Sequence, residues 1–327
     1  MQHLAMAQAL PQTPSWPGFD EAVVDRGYRW WYLDASAADG QHHLVVIAFV
    51  GSVFSPFYAR ACDRGDAVAA DYCAFNVGLY GPSSRHTWVF TEFESAAVAR
   101  TADTFELGRN RLAWDGQTLT IDVDDRSAPL HGVVRGQIRV TPQALTGAPF
   151  RFGNLERHGW WPIAPKCGVT VSVASPGIAW HGSGYLDMNF GDEPLHEGFD
   201  DWQWCRWHDA DTAAIQYHAR HRGGGETALA LTIANSGDVA HGTLPAVATL
   251  SRTLWGIDRA WYSDDASASV STIDDTPFYA RSLVHRTHPP GASPLMHESL
   301  SLHRFRRAWV RRLLPFRMRF PLGRLFS

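Results

Sequence analysis

Lysine is almost missing from this 327-residue chain: Lys166 is the only one, and arginine supplies the rest of the 29 basic side chains. Charge of either sign is sparse, at 19% of residues, and balances to −4. That excludes a global electrostatic argument for binding nucleic acid or another polyanion. Cysteine is scarce as well. Cys62, Cys73, Cys167 and Cys205 lie far apart, without the spacing of a metal site, and no secretory signal precedes them. They read as reduced thiols of a cytoplasmic protein. The longest apolar run, Leu44–Val50, is far too short to span a bilayer as a helix. No Gly-x-Ser-x-Gly elbow and no dinucleotide fingerprint is present, and Gly223-Gly224-Gly225 lacks the Gly-Lys-Ser/Thr of a phosphate loop.

What is present is aromatic and strand-like. There are 14 Trp among the 45% hydrophobic residues, enough for aromatic-lined pockets and a sizeable core. Turn residues recur every 8–12 positions, between stretches such as Tyr28–Asp34, Leu44–Phe54, Tyr72–Gly81, Arg85–Phe93 and Gly132–Val140. Leu112–Ile121 is a hairpin around Asp115-Gly116. Long helical periods are absent, so the fold class is all-β and antiparallel. One short helix is expected at Ser95–Ala102, and Ser55-Pro56 breaks the strand before it.

The chain is organised around Gly184-Tyr185-Leu186-Asp187-Met188-Asn189-Phe190-Gly191. Strict alternation puts Leu186, Met188 and Phe190 on one strand face and Tyr185, Asp187 and Asn189 on the other. In one reading the apolar face meets the core and the polar face meets water. In the other, the Tyr-x-Asp face lies inside a barrel or cleft, where a carboxyl acquires unusual chemistry. Alternation alone leaves both open. His158 and Trp160 stand in the same i, i+2 relation.

Metal ligation has only fragments to offer. His42-His43, His218-x-x-His221 and Cys205-x-x-His208 lack a reinforcing cysteine pair, and i, i+3 on a strand points to opposite faces. No metal and no cofactor is expected. The segment after Glu298 interleaves Arg304, Arg306, Arg307, Arg311, Arg312, Arg317, Arg319 and Arg324 with Phe305, Trp309, Leu313, Phe316, Phe320 and Leu322. Such a basic and apolar tail suits an anionic membrane surface. The alternative is a tail packed on the protein's own body or touching nucleic acid.

Taken together, Gly27–Asp34, Ile47–Pro56, His158-Gly159-Trp160-Trp161-Pro162, Gly184–Gly191 and Asp275–Ser282 resemble the carotenoid 1,2-hydratases (hydroxyneurosporene synthases) of photosynthetic bacteria, in order over roughly residues 22 to 290. The resemblance implies a pair of lipocalin-like (calycin-like) antiparallel β-barrel or sandwich domains. The expected layout is an arm over 1–20, domains over 21–180 and 181–300, and the basic tail over 301–327. It also implies a cofactor-free lyase that adds water across the terminal 1,2 double bond of an acyclic carotenoid such as lycopene or neurosporene. The family's functional residues fall on His158, Trp160, Tyr185 and Asp187. The expected location is cytoplasmic, peripheral on the inner photosynthetic membrane, with carotenoid and water as partners and no nucleic acid.

The chemistry can be built from those side chains. A proton delivered to C2 of the alkene leaves a tertiary cation at C1, which water captures. A buried Asp187, still protonated near neutral pH, would be the donor. Tyr185 would orient its carboxyl, His158 would position water or return the proton, and Trp160 would face the cation with its π surface. Two other readings remain: a non-catalytic lipocalin-like carrier of a hydrophobic ligand, and an enzyme acting on another terpenoid alkene.

Overall fold

The structure, a computed structural model, describes residues 15–82, 86–152, 156–263, 268–286 and 294–325. The expected arm and tail therefore lie partly outside the described residues. The chain divides into two compact units. Of the described residues, the first holds those from Ser15 to Pro149, His158–Pro194 and those from Arg312 onward; the second holds those of Phe150–Arg157 and Leu195–Arg311.

In the first unit the strands are β1 (Tyr28–Ala37), β2 (His43–Val50), β3 (Cys73–Tyr80), β4 (Thr87–Phe93), β5 (Val98–Arg100), β6 (Thr104–Leu107), β7 (Asn110–Trp114), β8 (Leu119–Arg126) and β9 (Val133–Pro142). After β10 (Phe150–Phe152), which belongs to the second unit, come β11 (His158–Ser175) and β12 (Ile178–Gly191). These eleven form one antiparallel sheet in the order β4-β3-β2-β1-β12-β11-β9-β8-β7-β6-β5. The sheet curls into a nearly closed barrel, with consecutive strands β4 and β5 at its two edges. The boundary expected at 180/181 falls within β12.

Which face of the sheet looks inward can be read from contacts between strands remote in sheet order. Trp31 of β1 meets Phe105 of β6 edge-on at 5.6 Å, and Thr91 of β4 donates to Asp125 of β8 at 3.0 Å. Register carries that face through Thr91, Phe75, Ala48, Trp31 and Met188. Leu186, Met188 and Phe190 therefore face the barrel interior. Tyr185, Asp187 and Asn189 are on its outer face, together with Tyr28, Trp30, Tyr32 and Asp34 of β1. Most of that face is hidden from water as well: Tyr185 and Asp34 are fully buried and Asp187 is 4% exposed, while Asn189 is half-buried. Each of the two readings of the alternation holds for one face, and the polar face is buried outside the barrel rather than within it.

The helix α1 (Pro56–Arg64) starts where the strand was expected to break. Ser55 caps it, accepting from the Phe57 and Tyr58 amides, and Pro56 takes the first turn, where no amide hydrogen is needed. Phe54 packs against Trp30 and Phe49, and Phe57 packs on Phe320. The helix expected at Ser95–Ala102 is a single 3-10 turn, Ser95–Ala97, running into β5, because the chain must turn between the two sheet edges. The Asp115-Gly116 hairpin forms between β7 and β8, with Gly116 at a φ of 94° and Asp115 accepting from the Gln117 and Thr118 amides.

The basic tail, expected to meet a membrane, is bonded to this unit through several of its arginines. Arg319 pairs its backbone with β4, N–H to Phe90 and C=O to Glu92, and donates its side chain to Asp125 at 2.7 Å. Part of an otherwise open strand edge is thus covered. Arg317 lies over Trp88, and Arg324 donates to Glu92 at 2.9 Å and lies over Tyr72. Burial still pushes the Glu92 carboxyl up to about 7.

The second unit, expected to be a barrel or a sandwich like the first, has a main sheet that is not closed into a barrel. Its strands are β13 (Phe199–His208), β14 (Thr212–His221), β15 (Glu226–Ala234), β16 (Val239–Gly242), β17 (Val247–Leu250), β18 (Arg259–Tyr262), β19 (Ser269–Asp275), β20 (Tyr279–His285) and β21 (Leu295–Ser301). Seven of them make an open sheet in the order β16-β15-β14-β13-β21-β20-β19, and β17 and β18 pair separately. The sheet does not close because no pairing joins β16 to β19.

Candidate active site

Side chains of three strands meet on the outer face of the barrel. On β12, Asp187 sits directly opposite Tyr32 of β1, and Tyr185 opposite Asp34. On β11, Trp160 pairs with Asn189 and His158 with Gly191. All four residues expected from the sequence are buried, with His158 at 3% and Trp160 fully enclosed.

Asp187 is the hub of the first cluster. The Trp160 indole N–H donates to Oδ2 at 2.8 Å, and the Tyr185 hydroxyl donates to the same oxygen at 2.9 Å. The Asn189 amide reaches Oδ1 at 3.1 Å. Tyr185, expected to orient this carboxyl, is bonded to it, and so is Trp160 through its indole N–H rather than its π face. Burial, followed by the neighbouring Asp187 carboxylate, holds the Tyr185 phenol well above its ordinary range, and Asp34 adds to the effect. Tyr185 therefore stays a donor at any physiological pH.

His158 joins a second cluster instead of Asp187. Its Nε2 is 3.0 Å from Glu193 Oε1, and its Nδ1 is 2.8 Å from the Tyr28 hydroxyl. Tyr28 lies nearly parallel to the His158 ring at 5.9 Å and to Trp30 at 4.9 Å. Tyr28 and His158 sit on β1 and β11, with β12 between them, and meet only because the intervening residue is Gly191. A Cβ there would lie 2.6 Å from Tyr28 Cε1 and 2.7 Å from His158 Nδ1.

Reasoning from the sequence did not assign Tyr28, Asp34 or Glu193 to the site. A usable signal was present for two of them, since Tyr28, Trp30, Tyr32 and Asp34 alternate just as Tyr185, Asp187 and Asn189 do. Glu193 follows the strand end and carries no periodic mark. The histidine and cysteine fragments have ordinary partners: His218 bonds Glu226, His221 bonds Thr227 and Cys205 bonds Gln216.

The profile of the carotenoid hydratase CrtC family matches residues 46–324. The chain is 42% identical over 305 residues to the acyclic carotenoid 1,2-hydratase of Thiocapsa roseopersicina, covering 92% of this chain and 75% of that protein. It is 38% identical over 309 residues to that of Rubrivivax gelatinosus, with the same coverage. Against that of Cereibacter sphaeroides it is 34% identical over 285 residues, 86% of this chain and all of that one. Among solved structures, kievitone hydratase from Nectria haematococca superposes with a TM-score of 0.54 at 12% identity, over 90% of this chain and 97% of that one. CghA superposes with a TM-score of 0.51 at 12% identity, over 89% and 97%. These two share the fold. By the match over most of its length and by its identity to several full-length relatives, the chain belongs to the carotenoid hydratase CrtC family.

Proposed function

We propose that the protein hydrates the terminal 1,2 double bond of acyclic carotenoids of the lycopene and neurosporene type, giving the tertiary 1-hydroxy end group, without a cofactor. Family membership supports the substrate class. The observation that carries the mechanism is the Asp187 carboxyl, buried among aromatic rings with its two oxygens unequally engaged. Oδ2 accepts from Trp160 and Tyr185, and Trp160 is a donor only. The acid proton therefore belongs on Oδ1, with the Asn189 amide turned so that its carbonyl accepts it. Transfer of that proton to C2 leaves the cation at C1, and water captures it. Trp160 and the neighbouring rings offer π surface to the cation, worth ~1–2 kcal/mol where water is excluded. A carrier of hydrophobic ligands has no use for a buried carboxyl held by Trp160, Tyr185 and Asn189.

The lipocalin-like kinship of both units, and the layout of arm, two domains and tail, belong to the same reading. So does a peripheral position on the inner photosynthetic membrane. A carotenoid dissolves in lipid, and the tail residues Arg312, Leu313, Phe316 and Leu322 present a basic and apolar surface to the outside. No helix among the described residues is long and apolar enough to cross a membrane.

The test is incubation of purified protein with detergent-dispersed lycopene, without metal or nucleotide, read by mass spectrometry for the addition of one water. Hydration by the wild type and none by Asp187→Asn supports the reading. Binding of carotene without hydration by either protein points to the carrier.

A further inference from the structure

His158 has no obvious nitrogen left with which to handle water. Nε2 faces a carboxylate, which can only accept, so Nε2 carries the hydrogen and donates to Glu193 at 3.0 Å. Nδ1 is then unprotonated and accepts from the Tyr28 hydroxyl at 2.8 Å. The group that this arrangement activates is the one at its far end, the Tyr28 oxygen.

We propose that Tyr28, His158 and Glu193 form a proton relay in which Tyr28 is the base that deprotonates the attacking water. The inference rests on the hydration reaction proposed above and assigns its second half. As water oxygen bonds to the C1 cation, one of its protons passes to Tyr28 Oη. Tyr28 passes its own proton to His158 Nδ1, and the resulting imidazolium is held by the Glu193 carboxylate. The balance closes. Asp187 has lost one proton to C2, the relay has gained one from water, and net H–OH has been added to the alkene. The relay discharges through Glu193, whose side chain is 25% exposed, while Asp187 takes up a proton in its turn. Tyr28 stays an alcohol throughout, because it gains and loses a proton together, so its high intrinsic pKa is no barrier.

Three further observations favour this assignment. Tyr28 shares its strand face with Tyr32, the residue opposite Asp187, so the two clusters line one face, four residues apart along β1. Its ring is clamped between Trp30 and His158, which fixes the hydroxyl direction. Gly191 is the residue that lets the pair meet, and its φ is not in the left-handed region, so conformational freedom does not explain a glycine there. Contact between Tyr28 and His158 does.

The relay and the acid can be separated in deuterium oxide. Asp187 can deuterate C2, and a cation that is not captured returns to alkene by losing a proton, leaving label in recovered substrate. Tyr28→Phe is expected to hydrate lycopene ~100-fold more slowly than wild type while still labelling recovered lycopene, because only water activation is lost. Glu193→Gln, at a partly exposed position that tolerates the change, should lose ~10-fold with the same labelling, and Glu193→Asp should recover much of it. Asp187→Asn should neither hydrate nor label. Wild-type hydration rates in both Tyr28→Phe and Glu193→Gln would overturn the relay and leave the acid untouched. Loss of labelling and hydration together in folded Glu193→Gln would also overturn it, since Glu193 would then serve protonation. Labelling or hydration by Asp187→Asn would instead sink the acid assignment on which the relay rests.

Discussion

Both units bury polar side chains, but they use them in opposite ways. In the second unit the buried polar groups join strands to one another. Gln216 donates to the Tyr262 carbonyl at 2.8 Å and accepts from its amide at 3.3 Å. His297 donates to the Ala260 carbonyl, and Arg259 reaches Ser251, Thr272 and Ser282. Arg281 and Glu298 form a pair with the guanidinium 2% exposed. Through these bonds the β17–β18 hairpin is fastened to the open sheet, and much of the network ends on backbone, where protons stay put. On the barrel the bonds run from one titratable side chain to another, through Tyr185 to Asp187 and through Tyr28 and His158 to Glu193. Burial in the first case fixes geometry, and in the second it positions protons that can move. The two regions should therefore respond differently to substitution: rate changes at the barrel face, stability changes in the second unit.

The largest effect expected is at Asp187. Asp187→Asn keeps the shape and the acceptor of the Tyr185 and Trp160 bonds but cannot donate a proton to carbon, so hydration should fall by ~10³-fold or more. Its unfolding midpoint in urea should stay near that of wild type. A variant that loses activity only in step with stability would make Asp187 a structural residue like those of the second unit, and the contrast would collapse.

In the second unit the corresponding change is Arg281→Met. Removing one partner leaves the Glu298 carboxylate buried, at a cost of ~3–5 kcal/mol of folding free energy. Chemical denaturation would show it directly. Hydration per folded molecule should be unchanged, which distinguishes this pair from the barrel cluster.

How much of this was legible beforehand follows the same division. Alternation in Tyr185–Phe190 revealed a two-faced strand, and the spacing of turns revealed an all-β chain, because both are local properties. Local pattern could not say that the polar face would be covered outside the barrel, since the alternation of one strand says nothing of what packs on it. Nor could it pair Tyr28 with His158, 130 positions apart, or recruit Glu193 beyond the strand end. The tail was read from composition alone. Composition registers arginine among aromatics but not that Arg319 would take a strand partner, so the contact with β4 was invisible. For the second unit the implied pair of similar domains left barrel and sandwich both open, because closure depends on strand pairing that no single segment encodes.

A pH dependence tests the fixed character of the second unit. Burial pushes His297 down to about 4, and with Nε2 donating to Ala260 no acceptor faces Nδ1 among the described residues. In the unfolded chain this histidine titrates near ~6.5. Between those values the unfolded state binds the extra proton, so folding stability is complete above ~6.5 and falls as pH drops towards 4. The loss from this residue approaches ~3 kcal/mol at the lower end. Urea melts at pH 7 and pH 5 should separate wild type from His297→Gln, whose amide keeps the donor but has no such titration. Equal slopes in the two proteins would mean that the acid sensitivity arises elsewhere.

The smallest effect bears on whether the second unit takes part in the chemistry at all. Gln216 makes its backbone bonds to Tyr262 without charge, so Gln216→Met, similar in volume, should cost only ~1–3 kcal/mol for the carbonyl and amide left unsatisfied. A thermal melt measures that loss, and a hydration assay well below the melting midpoint measures the rest. If the hairpin is only fastened to its own sheet, kcat and KM per folded molecule stay at wild-type values. A rise in KM at full folding would mean that the β17–β18 hairpin shapes the path of the substrate. The contrast would then lie between proton-moving and substrate-guiding surfaces, because a network built from neutral bonds to backbone can hold a binding surface still without ever exchanging a proton.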